Sequence, residues 1–424
     1  MKYFIKTYGC KLNHSDTALM EIFLNENYEK SENADLADFV ILNTCGVVDT
    51  TSTKILKEAG ELKKKGKIII LGGCLPETMK DECRQVSDGI LGPTNIDKIN
   101  EVVEMVLDGG KIEMLDNTEL DKSAFIRNES PSDSVSAIVA ISEGCLGCCS
   151  YCVTRLARRK LISFDRKNIL LQICHFLNNG FKEIQLTSQD LAVYGFDKGK
   201  QDLPLILNNI SLLDGKFKVK LGMMNPDWTK RIIDEILNEM ESNIFYKFLH
   251  VPVQSGSNEL LLKMRRGYKR EDFEEIASKF RNKFSDVVFS TDIIVGHPLE
   301  TENMFFETVE MLKTVRPEII HIFKFSNRPN TPDEKLRDLP DRIKKDRSRI
   351  ITKLFHQMNE ETNKKYIGRK ELVLVVEKRG DVFMSRANSG RLVVLREIDL
   401  SIGKFINVEI IGSKWNYLEG RVIF

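Results

Sequence analysis

From about Val135 onward, six short runs rich in β-branched and aromatic residues alternate with helical patterns, and this alternation limits the fold more than any other feature of the chain. The runs are Ala137 to Ile141, Glu183 to Leu186, Lys218 to Gly222, Lys247 to Val251, Val287 to Val295 and Ile319 to Phe323. Strands separated by helices pair in parallel. Six such units predict a barrel or partial barrel, a (β/α)6 arrangement whose active site is built from loops at the carboxyl ends of the strands. A shorter alternation fills Lys2 to about Asp108, with strands at Tyr3 to Tyr8, Phe39 to Asn43, Ile68 to Leu71 and Gly89 to Leu91 and helices at Ser15 to Asn27 and Thr51 to Lys65. It predicts an open parallel sheet. The polar stretch Asp116 to Ser134 reads as a linker. Lys335 to Lys370 is helical in pattern and carries 12 basic and five acidic residues, a local +7. From Glu371 to Phe424 short strands such as Leu372 to Val376 and Phe405 to Ile410 predict a small β-barrel, so the fold class is α/β with a β-barrel at its end.

Composition narrows the class of protein. A chain of 424 residues has room for two or three domains. With 42% hydrophobic and 29% charged residues it is an ordinary globular protein. No apolar run approaches the roughly 18 residues of a membrane span, and the start alternates like a strand rather than a signal peptide. The expected location is the cytoplasm, with no membrane partner. The net charge of +1 neither requires nor excludes a polyanion, so local charge has to decide.

Nine cysteines in a large cytoplasmic chain point to metal or redox chemistry rather than disulfides. The segment Ser142-Glu-Gly-Cys145-Leu-Gly-Cys148-Cys149-Ser-Tyr-Cys152 spaces Cys145, Cys149 and Cys152 as Cys-x3-Cys-x2-Cys, directly after the first barrel strand. Four thiolates are the usual ligands of a [4Fe-4S] cluster, so three leave one iron open. A zinc knuckle would need a fourth ligand, for which Cys174 and His175 are the nearest and unpaired choices, and Cys149 with Cys152 also matches a thioredoxin-like pair. Cys148 fits no ligand position and reads, with Cys83 and Cys174, as a buried apolar-like thiol. Cys10, Cys45 and Cys74 each follow a strand of the N-terminal sheet, whose carboxyl ends form one ligand-binding edge. Small or polar neighbours flank each of them, and the three together suggest a second cluster with an open iron.

With these motifs in place, the chain resembles the methylthiotransferase branch of radical S-adenosylmethionine (AdoMet) enzymes. The match runs through Thr7-Tyr-Gly-Cys-Lys-Leu-Asn13 with Ser15-Asp16, Asn43-Thr-Cys-Gly-Val47, Gly73-Cys-Leu-Pro76, the central cysteine loop, Leu186-Thr-Ser-Gln-Asp190 with Ala192-Val-Tyr-Gly195, Gly222-Met-Met-Asn-Pro226, His250-Val-Pro-Val-Gln-Ser-Gly-Ser257 and Asp292-Ile-Ile-Val-Gly-His-Pro298. The resemblance implies an N-terminal methylthiotransferase domain at 1–115, a linker at 116–134, a radical AdoMet domain at 135–335, a basic helical connector at 336–365 and a TRAM domain at 366–424. Two [4Fe-4S] clusters are implied, held by Cys10, Cys45 and Cys74 and by Cys145, Cys149 and Cys152. AdoMet then serves once as methyl donor and once as source of a 5′-deoxyadenosyl radical. The Leu-Thr-Ser-Gln-Asp and Gly-Met-Met-Asn-Pro segments look most like the branch acting on N6-threonylcarbamoyladenosine at position 37 of tRNA, in its archaeal and eukaryotic form. The sister branches act on isopentenyladenosine in tRNA or on a ribosomal-protein aspartate. Ala157-Arg-Arg159, Ser163-Phe-Asp165, His297-Pro-Leu-Glu-Thr301 and Arg328-Pro-Asn330 depart from the family's usual pattern.

The cofactor supplies the reactive chemistry, so the protein's task is orientation. Gln189 and Asp190, ending the second barrel strand, are candidates to hold AdoMet or the adenine, or else cap their own loop. Arg158 could fork onto the AdoMet carboxylate or an RNA phosphate, or lie solvated on a helix. Asn225, Gln254 and Ser255 end later strands at the same mouth, and His250 and His297 read as packing residues. For tRNA the candidates are the +7 segment and, on the terminal barrel, Arg386, Arg391 and Arg396 with Trp415 and Tyr417. A reducing partner such as ferredoxin or flavodoxin is expected.

Overall fold

The computed structural model describes residues 1–46, 49–116, 118–396 and 400–423; Val47, the last residue of one quoted motif, lies outside them. It divides into two compact units. The first comprises Met1–Arg127, Ser142–Asp165 and Ser326–Leu336, and the second Asn128–Ile141, Arg166–Phe325 and Arg337–Phe424.

The first unit is built on a six-stranded parallel sheet in the order Glu29–Lys30, Lys2–Thr7, Phe39–Thr44, Ile68–Gly73, Gly89–Leu91, Ile112–Met114. Its central strands are apolar on both faces because helices cover both. Tyr3, Ile5, Phe39 and Ile41 pack on one side with Leu19 and Val103, while Val40, Leu42, Ile69 and Leu71 pack on the other with Ile55 and Ala59. The first helix spans Lys11–Leu24, beginning four residues before the expected Ser15 and directly after Cys10. The two short edge strands, Glu29–Lys30 and Ile112–Met114, are too brief to leave a periodic signal.

The stretch read as a linker is packed for half its length. Leu120 and Phe125 join the core of the first unit, and Lys122 is buried. The cysteine loop, expected with the barrel, belongs to the same compact unit as the N-terminal sheet.

In the second unit all six expected strands form. Ser136–Ala140, Glu183–Thr187 and Lys218–Lys220 make one parallel sheet, and Phe248–His250, Val288–Val295 and Ile319–Lys324 make another. Single parallel bridges, Val219 to Phe245 and Met223 to His250, join them into one partial barrel. After the 24-residue helix Asp341–Lys364, five strands close a small barrel in the order Lys370–Arg379, Val382–Ala387, Leu392–Leu395, Leu418–Val422, Phe405–Ser413. Register shifts at Val375/Glu377 and Ile410/Gly412 bend its two long strands enough to close.

Candidate active site

Each cysteine of the N-terminal trio stands just past the end of a strand. Cys10 precedes the helix Lys11–Leu24, Cys74 precedes the short helix Leu75–Thr78, and Cys45 follows Phe39–Thr44. The parallel register levels those strand ends, Thr7 beside Asn43 and Thr44 beside Gly73, so the thiols gather on one edge. The approach is close. A methyl group built on Gly9 would stand 2.7 Å from Cys45 Cβ, and the Cys74 thiol feels the charges of Cys10 and Cys45. Burial pushes Cys74 up to about 12, against which the nearby Arg158 guanidinium pulls down.

Cys145, Cys149 and Cys152 are half-buried in the loop after Ser142–Glu143. The Gly147 N–H donates to Cys145 Sγ at 3.2 Å, and Cys152 receives backbone N–H groups from Arg155 and Thr154. Donors of this kind stabilise thiolate sulfur and tune a cluster. Among the described residues, the group of His, Cys or acidic side chains with all its ligand atoms within 4.8 Å of one another is His250, Asp292 and His321. Each cysteine trio offers three sulfur donors and no fourth, a set that fits an iron-sulfur cluster with one open iron. Cys83 is buried as expected, but Cys148 is exposed, because the turn that directs Cys145 and Cys149 inward leaves it outside.

A buried four-charge cluster ties the two cysteine loops together. Arg158 Nη2 lies 2.5 Å from Asp16 Oδ2 and its Nη1 lies 3.0 Å from Glu143 Oε1. Lys122 Nζ lies 2.7 Å from Asp16 Oδ1 and also pairs with Glu143. All four side chains are at most 2% exposed. Asp16 sits on the helix that starts after Cys10, and Glu143 comes two residues before Cys145. Of the two readings of Arg158, the structure excludes the solvated one: the guanidinium is buried beside Asp16 and Glu143. Asp16, Glu143 and Lys122 were not among the candidates, although both acids lie within the quoted cysteine motifs. Arg159, one of the departures, is exposed and pairs at 3.0 Å with the largely buried Glu77 carboxylate.

At the carboxyl end of the second barrel strand, Asp190 is fully buried. Its Oδ1 accepts the N–H groups of Ala192, at 3.1 Å, and Asn225, at 3.0 Å, so it does cap its loop. Asp190 Oδ2 and Ser188 Oγ are buried with no hydrogen-bond partner among the described residues. Two orphaned oxygens at a strand end are what a bound polar ligand would satisfy, and Ser188 was missed. Gln189 is half-buried beside them. Asn225 is turned to cap the helix Pro226–Thr229, and Ser255 Oγ faces Thr308 Oγ1 at 3.3 Å. Gln254 holds a left-handed φ of 71°, a strained conformation of the sort found where a loop is shaped for a site. His297 is buried against Phe325, the packing role expected of it.

Burial raises the Asp190 carboxyl from 3.8 to about 7, with the two backbone donors opposing the shift. The unfolded chain releases that proton near pH 4 while the folded chain keeps it to about pH 7, so this group stabilises the fold fully below pH 4 and loses its contribution as pH rises through 7. Asp190→Asn is therefore expected to melt above the parent by a margin that widens from pH 4 to pH 7 and then stays level. A pH-independent margin in thermal melts would contradict this.

Two of the RNA candidates are taken up by the fold. Arg386 Nε pairs at 3.0 Å with the buried Glu183, and Arg391 is buried over the Tyr366 ring, donating to Asn363 Oδ1 and the Val287 carbonyl. Arg386 lies on the outer face of the small barrel, next to Ala387, which faces its core, and its partner Glu183 stands on the second strand of the partial barrel. Arg396 is exposed, and Trp415 stacks on His356 at 4.0 Å, leaving Tyr417 half-buried. The helix Asp341–Lys364 presents Arg342, Arg349 and Lys345 to solvent at 93%, 77% and 53% exposure.

A parallel partial barrel carrying a three-cysteine loop after its first strand is the build of a radical AdoMet enzyme. Residues 139–312 match the radical SAM superfamily, and residues 2–92 match a family described as "Uncharacterized protein family UPF0004". The chain is 42% identical, over 100% of its length and 99% of the relative's, to a protein of Archaeoglobus fulgidus named as a probable threonylcarbamoyladenosine tRNA methylthiotransferase. It is 32% identical over 100% and 98% to a tRNA-2-methylthio-N(6)-dimethylallyladenosine synthase of Aquifex aeolicus. Its fold is like that of the radical S-adenosylmethionine methyltransferase TsrM from Kitasatospora setae, with a TM-score of 0.57 at 12% identity, covering 78% of this chain and 75% of that one. The chain belongs to the threonylcarbamoyladenosine tRNA methylthiotransferase family. The radical SAM match implies a [4Fe-4S] cluster and AdoMet. Among the described residues no helix is long and apolar enough to cross a membrane.

Proposed function

We propose that this protein attaches a methylthio group to C2 of N6-threonylcarbamoyladenosine at position 37 of tRNA, with one AdoMet as methyl donor and a second as radical source. The observation that carries this reading is the presence of both three-cysteine loops in one compact unit, in a chain alike over its full length to relatives named for that reaction. Cys145, Cys149 and Cys152 are the ligands of the radical-generating cluster, and Cys10, Cys45 and Cys74 those of the sulfur-carrying one. Bound there, the two clusters and AdoMet would supply the 5′-deoxyadenosyl radical and the sulfur.

The chain's own residues set positions. Ser188, Gln189 and Asp190 line the AdoMet side of the mouth, with Asp190 Oδ2 and Ser188 Oγ as open partners. Gln254 adds its shaped loop, and Arg158 holds the cysteine loops in place. The exposed cations of Asp341–Lys364 and Arg396 meet the tRNA backbone, so binding weakens with salt. A ferredoxin or flavodoxin in the cytoplasm supplies the electron.

The test is nucleoside mass spectrometry of tRNA from a host lacking the gene and then supplied with it. The methylthio derivative of threonylcarbamoyladenosine is expected to appear with the gene; its absence, or methylthiolation of isopentenyladenosine instead, defeats this reading. In vitro, anaerobic reconstitution is expected to give about eight irons per chain, and a chain with Cys10, Cys45 and Cys74 all changed to alanine about four. That variant is expected still to cleave AdoMet to 5′-deoxyadenosine while yielding no methylthio product.

A further inference from the structure

On the side of the barrel strands away from the helices, His250, Asp292 and His321 stand on three adjacent parallel strands. His250 Nε2 lies 2.7 Å from Asp292 Oδ1, the strand register sets Asp292 beside His321, and the two imidazole centroids are 5.5 Å apart. The group stays open: His321 is exposed and the other two are partly so. Two residues beyond His321 on the same face, Phe323 is 43% exposed, an apolar ring that no core covers. Lys220, ending the strand Lys218–Lys220, is close enough for its charge to act on His321.

Two imidazoles and a carboxylate also resemble a metal site. Here the Lys220 ammonium opposes a cation, and Asp292 already receives the His250 ring, orienting it as second-sphere carboxylates do. With Asp292 engaged by the His250 ring, the His321 imidazole and the Lys220 ammonium bring N–H donors to this face, and N–H donors suit an anionic oxygen. The substituent that separates threonylcarbamoyladenosine from isopentenyladenosine is a threonine, which ends in a free carboxylate.

We infer that His321, Lys220 and the Asp292-oriented His250 form the specificity site of the barrel, binding the threonyl carboxylate while the adenine lies against Phe323. The inference rests on the threonylcarbamoyladenosine reading above and deepens it. Its test uses the reconstituted full chain and two anticodon stem-loops, one carrying threonylcarbamoyladenosine and one its neutral carboxamide analogue.

The parent is expected to favour the carboxylate substrate about tenfold in kcat/KM, mostly through KM, as one charge-assisted contact would give. His321→Gln and Lys220→Gln are expected to lose most of that preference, and Phe323→Leu to raise KM for both substrates alike. The preference is a ratio within one enzyme, so incomplete folding of a variant lowers both rates and cancels. An undiminished preference in His321→Gln overturns the inference, as does a parent that turns over both substrates equally. So does a zinc or iron ion bound in excess of the clusters and lost in Asp292→Asn. A parent that turns over neither stem-loop overturns the functional reading as well.

Discussion

Replacing Arg158 with methionine is expected to destabilise the first unit by roughly 3–5 kcal/mol, the cost of leaving a buried charge without its partner. Arg158, Lys122, Asp16 and Glu143 form a neutral set at essentially zero exposure. Without the guanidinium, two carboxylates share one ammonium where water cannot screen them. Lysine is a poor substitute, because a single ammonium cannot fork onto Asp16 and Glu143 together. Against a typical stability of about 5–15 kcal/mol such a loss is severe, and both cysteine loops should loosen with it. Urea unfolding of the anaerobically reconstituted chain should show an early transition, with iron lost from both clusters. The double change Arg158→Met with Asp16→Asn removes one orphaned charge and should recover part of the loss, a coupling expected only if the two groups interact directly. A midpoint indistinguishable from the parent's would show that the cluster contributes nothing.

Why this cluster escaped a reading of the sequence is a matter of distance along the chain. Lys122 and Arg158 meet Asp16 across 106 and 142 residues, and no local period reports such a meeting. Lys122 stood in a polar stretch that composition marks as linker, and only its buried partners make it part of a core. The barrel strands were legible because each is a self-contained apolar run bounded by turns, and the cysteines because each sits at the end of such a run. Arg386 and Arg391 looked like phosphate ligands for the opposite reason. Arginine is usually exposed, and the partners that take up these two, Glu183, Asn363 and the Val287 carbonyl, come beside them only in the folded chain. His250 read as a packing residue because Asp292 and His321 come beside it only through strand pairing.

Changing Gly144 to alanine is expected to abolish the central cluster while sparing the other, and changing Gly73 to alanine is expected to do the reverse. Each glycine immediately precedes a cysteine of one of the two proposed clusters, Cys145 or Cys74, and each holds a left-handed φ, 84° and 88°. A Cβ in that region costs about 1–2 kcal/mol before any contact is counted. At Gly144 the added carbon would overlap the Lys160 carbonyl oxygen, and at Gly73 it would lie 2.5 Å from the Thr44 carbonyl oxygen and 2.8 Å from the Thr44 nitrogen. Both obstacles are backbone, so neither can swing aside as a side chain would. The chain must move, and the cysteine one residue further on moves with it. Iron should fall from about eight to about four per chain in both variants. Their chemistry should separate: Gly73→Ala still cleaves AdoMet to 5′-deoxyadenosine and makes no methylthio product, while Gly144→Ala does neither. Loss of all iron in both variants would mean that the two loops form one cooperative structure, and retention of about eight would mean that the left-handed glycines do not set the cysteine positions.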